Sequence, residues 1–255
     1  MIIKKISLIL KLIFWSAPVF FWLGWQVVVY YPNAFWILIV AALALLLPVA
    51  YEASGRKFSQ HFLFIYAASA LLLSNFYLFL SLLSRPWLTQ LLCLLMVWHL
   101  YRYFIAAKKA TNGDEQSEWA QISLYGGLLT IFLAATSMFG LQSFLSLSPW
   151  PLLLLFVVVL FINTQAIAFS QSWRKQENWY LWPLLALLTG EIAMMLTLLP
   201  LNYLISAILC TLAYYSVINF ARLYLNNNLS GRKIKNYALF TAISLVVILL
   251  TARWL

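Results

Sequence analysis

The chain has 255 residues, of which 65% are hydrophobic and only 9% charged, with a mean hydropathy of +0.91. A water-soluble domain needs roughly a quarter of its residues charged to cover its surface, so this composition excludes one. The formal net charge of +10 would suggest a nucleic-acid partner in a soluble protein, but here the basic residues sit in short connectors between apolar runs, a membrane-topology signal that points away from nucleic acid.

A helix needs about 20 apolar residues to cross the hydrocarbon core. Apolar runs bounded by charge and turn residues give about nine candidate spans, roughly 12–29, 34–51, 62–83, 88–107, 120–144, 150–171, 180–199, 203–224 and 237–254. They use up residues 1–255 as a single integral membrane domain, with no soluble domain expected. The runs are too long and too evenly apolar for barrel strands, and lipid offers the backbone no other partners. The expected fold class is therefore all-α, a polytopic transmembrane helix bundle.

At the N-terminus, Lys4 and Lys5 precede an apolar stretch in the manner of a signal peptide. Lys11 interrupts that stretch and no small-x-small cleavage site follows, so it reads as an uncleaved first span. Along the chain, fourteen of the sixteen Lys and Arg fall on one side of the nine-span arrangement, leaving Arg85 and Arg253 on the other. The positive-inside rule then places the N-terminus in the cytoplasm and the C-terminus outside, in a bacterial-type plasma (inner) membrane. The four external connectors are short and carry proline, as at Pro32, Pro86, Pro149 with Pro151, and Pro200. Trp36, Trp87, Trp150 and Trp254 fall near the outer boundary and Trp119, Trp173, Trp179 and Trp182 near the inner one, where interfacial anchors are expected.

Three basic connectors share the order Ser, any residue, Arg, Lys, two of any kind, an amide, a ring, any residue, Leu, a ring. They begin at Ser54, Ser172 and Ser230 and contain Arg56 and Lys57, Arg174 and Lys175, and Arg232 and Lys233. Two origins fit: duplication of a two-helix unit, or convergence of basic loops, interfacial rings and helix caps on similar strings.

Polar groups inside the spans are the functional candidates. Glu191 is the only acid well inside one, about eleven residues from its basic end and about eight from the other. A carboxylate at that depth is costly unless protonated, paired or wetted, so it is expected to face the bundle interior, with Asn75 as first partner and Thr136 or Ser137 at similar depth. Two roles fit it, a titrating centre or a protonated packing contact. A second group lies in the basic-side halves of the fourth, sixth and eighth spans: His99 and Arg102, Asn163 with Thr164 and Gln165, and Asn219 and Arg222. His99 with Arg102 and Asn219 with Arg222 are spaced i, i+3, so each pair shares a helix face. If the faces converge they line a polar pocket suited to a phosphate or carboxylate; otherwise the arginines snorkel to the inner headgroups.

No nucleophile elbow, paired acids at metal spacing or facing histidines occur, and Gly126-Gly127 lacks the Lys-Ser/Thr of a phosphate loop. Cys93 and Cys210 stand singly in apolar runs, so neither a disulfide nor a metal is expected, nor any cofactor. The residues favour a carrier-type protein that handles a small solute or lipid headgroup through a cytoplasm-facing polar cavity. The alternative is a non-catalytic structural or assembly subunit of a membrane complex, with an enzyme a more distant reading. The expected partners are the lipid bilayer and its anionic headgroups, and no nucleic acid.

Overall fold

The computed structural model describes residues 86–111, 116–171, 180–225 and 230–251 continuously, with scattered positions between 12 and 49. Six helices are described: α1 (Pro86–Thr111), α2 (Gln116–Leu145), α3 (Pro149–Ser170), α4 (Leu181–Thr197), α5 (Tyr203–Leu225) and α6 (Gly231–Thr251). There is no β-strand among the described residues. By length and composition four helical stretches can cross a membrane: Glu118–Leu145, Pro149–Ser170, Tyr203–Leu225 and Gly231–Thr251. Leu181–Thr197 is apolar but shorter. The all-helical membrane class is thus shown; the second expected span is described only at scattered helical positions, and the third, with the Arg–Lys pairs of two of the three basic connectors, lies outside the described residues.

The chain divides into two compact units, Met1–Gly126 and Gly127–Leu255, with the division inside α2. In the first, α1 buries Leu100, Tyr103, Phe104 and Ala107, spaced to form one helix face. Tyr103 stands edge-on to Phe104 and 6.4 Å from the Trp119 ring centroid at the start of α2. Trp15 packs edge-to-face on Tyr101 at 5.9 Å.

In the second unit the described helices pack in sequence, α3 on α4, α4 on α5 and α5 on α6. Short connectors enforce this. Residues 146–148 join α2 to α3, with Ser146 in the left-handed region at φ 50° and Pro149 in the first turn of α3, where its missing N–H costs nothing. Before α5, the Asn202 side chain accepts a hydrogen bond from the Leu204 N–H at 3.0 Å and so caps the helix. The second-unit part of α2 is buried almost all round from Thr130 to Gly140, whereas α6 has no buried residue.

Two departures from expectation have local causes. The last helix begins at Gly231, about six residues earlier than the apolar run suggests, because Ser230 caps it: the Lys233 N–H reaches the Ser230 carbonyl at 3.0 Å and its hydroxyl at 3.4 Å. Arg232 and Lys233 therefore sit in a helical turn and not in a loop. Trp119 and Trp182 are only 5% and 2% exposed, so they are core residues and not interfacial anchors, whereas Trp87 and Trp150 are exposed as anchors should be.

Close helix approach depends on Gly190, where an added Cβ would stand 2.5 Å from Val157 Cγ2. Valine is stiff about χ1 and cannot swing aside cheaply. Gly190→Ala is expected to cost about 1–3 kcal/mol by overpacking. Val157→Ala in the same chain should recover part of that loss, measured as a double-mutant cycle of unfolding in detergent micelles; additive losses would exclude the contact.

Candidate functional site

Most polar side chains in the described spans are satisfied within their own helix. Thr136 and Ser137 donate to the Phe132 and Leu133 carbonyls at 2.7 and 2.8 Å, Thr189 to Leu185 at 2.9 Å, and Thr211 to Ala207 at 2.7 Å. This back-bonding to the preceding turn lets a hydroxyl enter hydrocarbon without a neighbour. Thr136 and Ser137 therefore have no need of Glu191.

Glu191 itself is exposed on α4, next to the buried Gly190 and among the exposed Leu184, Leu187, Leu188, Met195 and Leu198. Among the described helices its carboxyl lies on the outer side of α4. The register explains this: Thr189, Gly190 and Ala193 turn the small face of α4 inward, and position 191 falls on the opposite side. Asn75 lies outside the described residues, as do Arg56, Lys57, Arg174 and Lys175.

The second group is divided between the two units, and each part has its setting within its own. In the first unit, Arg102 is exposed and pairs with Glu118 at 2.8 Å, and Lys109 approaches the same carboxylate at 3.4 Å. His99 lies half-buried, its ring 6.2 Å from that of Tyr103. The arginine thus ties α1 to the start of α2; the sequence reading passed over Glu118, whose partners become visible only once the hairpin is folded.

In the second unit, Asn163 is fully buried and donates from Nδ2 to the Gly127 carbonyl at 3.2 Å and to the Tyr214 hydroxyl at 3.1 Å. Thr164 donates to the Leu160 carbonyl at 2.7 Å, which leaves its Oγ1 to accept from Tyr214 Oη at 3.1 Å. The result is a directed chain, Asn163 to Tyr214 to Thr164 to Leu160, linking α3 to α5 and to α2. Asn163 Oδ1 is buried without a hydrogen-bond partner. Gly127 makes the approach possible, since a Cβ there would stand 2.7 Å from Ile167 Cδ1 and 3.0 Å from Asn163 Nδ2. This is a packing network: apart from Asn163 Oδ1, its polar atoms are bonded to one another or to the backbone of α2 and α3.

Asn219 and Arg222 have a different setting. They line a cleft of about 600 Å³ between α5 and α6, with Tyr215 and Leu223 from α5 and Lys233, Asn236, Tyr237 and Phe240 from α6. Asn219 is 3% exposed, and its Nδ2 donates to the Tyr215 carbonyl at 2.8 Å, so its carbonyl oxygen is the end left for the cleft. Arg222 is exposed. The two helices are held together beneath it by the Ser216 and Thr241 hydroxyls, 2.9 Å apart, and by an edge-to-face contact of Tyr215 on Phe240. The described lining carries two cationic side chains, two amides and two phenols, and no carboxylate.

Asn236, Tyr237 and Tyr215 were not among the sequence candidates. Spacing could have found them: 215, 219 and 222 on α5, and 233, 236, 237 and 240 on α6, each fall on one helical face. A smaller cavity of about 200 Å³ lies at the opposite end of α5, between the end of α2 and the α4–α5 turn, and is lined by Gln142, Ser143, Thr197, Tyr203 and Ser206 among others.

No family model matches the chain, and neither a curated protein nor a solved structure matches it. The site's chemistry therefore rests on its own residues.

Two substitutions separate network from surface. Tyr214→Phe removes the two bonds between α3 and α5, leaves that from Asn163 to Gly127, and is expected to cost about 0.6–1.7 kcal/mol, the range for hydrogen bonds between membrane helices. Glu191→Gln, on an exposed face, should leave the unfolding free energy within about 0.5 kcal/mol of the parent. Denaturation of both variants in mixed micelles checks the contrast, and a larger loss for Glu191→Gln than for Tyr214→Phe would reverse the assignment.

Proposed function

We propose that this protein is a multi-pass integral membrane protein of carrier type, and that it handles a small anionic solute or lipid headgroup through the α5–α6 cleft, which faces the cytoplasm. The observation that carries this reading is the cleft itself, a concave site with Arg222, Lys233, Asn219 and Asn236 converging on it. Guanidinium and ammonium groups supply charge that suits phosphate or carboxylate oxygens, and the Asn219 carbonyl oxygen supplies an acceptor for a hydroxyl or amine beside them. The orientation is supported by the basic residues of these two helices, Arg222, Arg232, Lys233 and Lys235, which sit at their shared end. Glu191, exposed on α4, has no part in this reading.

A second reading, a non-catalytic structural or assembly subunit, is supported by the self-contained Asn163–Tyr214–Thr164 network and by the lack of burial along α6. Chemical access distinguishes the two. In a background lacking Cys93 and Cys210, a membrane-impermeant maleimide should label Asn202→Cys from outside and Asn236→Cys from the cytoplasmic side of inverted vesicles. On the carrier reading, glycerol phosphate or a phospholipid headgroup analogue slows labelling of Asn236→Cys and leaves Asn202→Cys unaffected. Labelling of the two positions from the reverse sides would overturn the orientation, and unprotected labelling of Asn236→Cys would favour the structural subunit.

A further inference from the structure

One carboxyl lies where none of the described helices answers it. Glu191 follows Leu181, the first residue of α4, by ten positions, a rise of about 15 Å at 1.5 Å per residue and half the thickness of a bilayer's hydrocarbon. It is exposed there and has no hydrogen-bond or ion-pair partner among the described residues. Against acyl chains a carboxyl is costly in either form, since the ionised form loses its hydration and the acid form leaves its O–H unbonded. The inner face of α4 is already filled: Thr189, Gly190 and Ala193 are buried on it, with Gly190 against Val157.

The exposed side of α4 is ordered around this residue. Leu184, Leu188, Glu191, Met195 and Leu198 are all exposed and follow one another at spacings of four, three, four and three. That is the 3.5-residue period of a left-handed helix pair, which keeps one seam against its partner along its whole length. Glu191 is seven residues from Leu184 and seven from Leu198, so it stands at the middle of the seam. A lone polar residue in such a seam fixes the register of the pair.

The chemistry selects the partner. A carboxylic acid carries one O–H donor and one carbonyl acceptor, and a second carboxylic acid facing it satisfies both at once. A lysine or arginine would have to carry a cation to the same depth at a cost of its own. Copies of one chain enter the bilayer the same way round, so a two-fold axis along the membrane normal sets two α4 helices parallel and brings each seam residue against its counterpart.

We infer that α4 is the contact helix of a homodimer, packed along Leu184, Leu188, Met195 and Leu198, with Glu191 facing Glu191 of the partner subunit at the centre. Each carboxyl donates its O–H to the carbonyl oxygen of the other. The apolar seam supplies the fit, and the acid pair makes separation unfavourable, because a lone copy turns a polar group toward lipid.

The experiment is single-molecule photobleaching of the full chain, labelled once and diluted in liposomes, which reads the equilibrium between one and two copies. Glu191→Gln should keep the dimer affinity within about threefold, since an amide also offers a donor and an acceptor. Glu191→Leu should weaken it about tenfold, because the separated copy then exposes nothing polar to lipid. Melting curves of each variant confirm that the bundle is intact. In a background lacking Cys93 and Cys210, Leu184→Cys and Leu198→Cys should each form a disulfide between copies under a mild oxidant, and Leu245→Cys on α6 should not. Single copies at every dilution would overturn the proposal, as would dimers linked through Leu245→Cys and not through the α4 positions. Unchanged affinity in Glu191→Leu would mean a purely apolar seam and would overturn the pairing of the carboxyls.

Discussion

Hydrocarbon offers no water to a stray donor or acceptor, and this constraint organises the described part of the chain. The backbone meets it by being helical. The hydroxyls of Thr136, Ser137, Thr164, Thr189, Thr211 and Ser216 meet it by donating to a carbonyl of their own helix's preceding turn. A helix that satisfies its own polar groups is free to pack by shape alone. That is why Gly127 and Gly190 matter more to the contacts of α3 than any ion pair does: each brings a neighbouring helix to within the radius of a methyl group.

Two places depart from this economy, and in opposite ways. At Asn163 an amide that cannot close on its own turn reaches across to Tyr214 and Gly127, and the resulting chain of donors is sealed from solvent. At the α5–α6 cleft the amide of Asn219 closes on its own helix through Nδ2 and leaves an oxygen at the edge of an open, cation-lined space. Similar residues thus serve packing in one case and access in the other. The difference lies in what the adjacent helix contributes: Tyr214 is a hydroxyl of fixed reach, whereas Lys233 and Asn236 belong to a helix with no buried residue.

The membrane class and the helical stretches were legible in the sequence because hydrocarbon thickness fixes their length, whatever the neighbours. The start of α6 was not, since hydropathy says where an apolar run begins and nothing about a serine cap that carries the helix on through Arg232 and Lys233. Trp119 and Trp182 look like interfacial anchors by position along the chain; only the packing of α1 on α2 and of α4 within its unit shows that they are buried. Periodicity put Asn219 with Arg222 and His99 with Arg102 on shared faces, but it says nothing of what a face meets. For Arg102 the answer was Glu118, and for Arg222 it was α6. For Glu191 the neighbours on α4 decide the side: the small residues Gly190 and Ala193 take the buried face, and position 191 falls opposite.

The marginal attachment of α6 also bears on how the protein is made. Each membrane helix enters the bilayer before it packs against its neighbours, and α6 follows α5 off the ribosome. The Asn163–Tyr214 chain can close as soon as α5 is inserted, so the bundle it stabilises does not wait for residues beyond Leu225. The cleft does wait. Half of its lining, from Lys233 to Phe240, is supplied by the later helix, and a nascent chain held up before Ser230 would have the α3–α5 packing in place but no cleft. Completion of the cleft is therefore a late event in biogenesis, coupled to insertion of one helix and separable from assembly of the core.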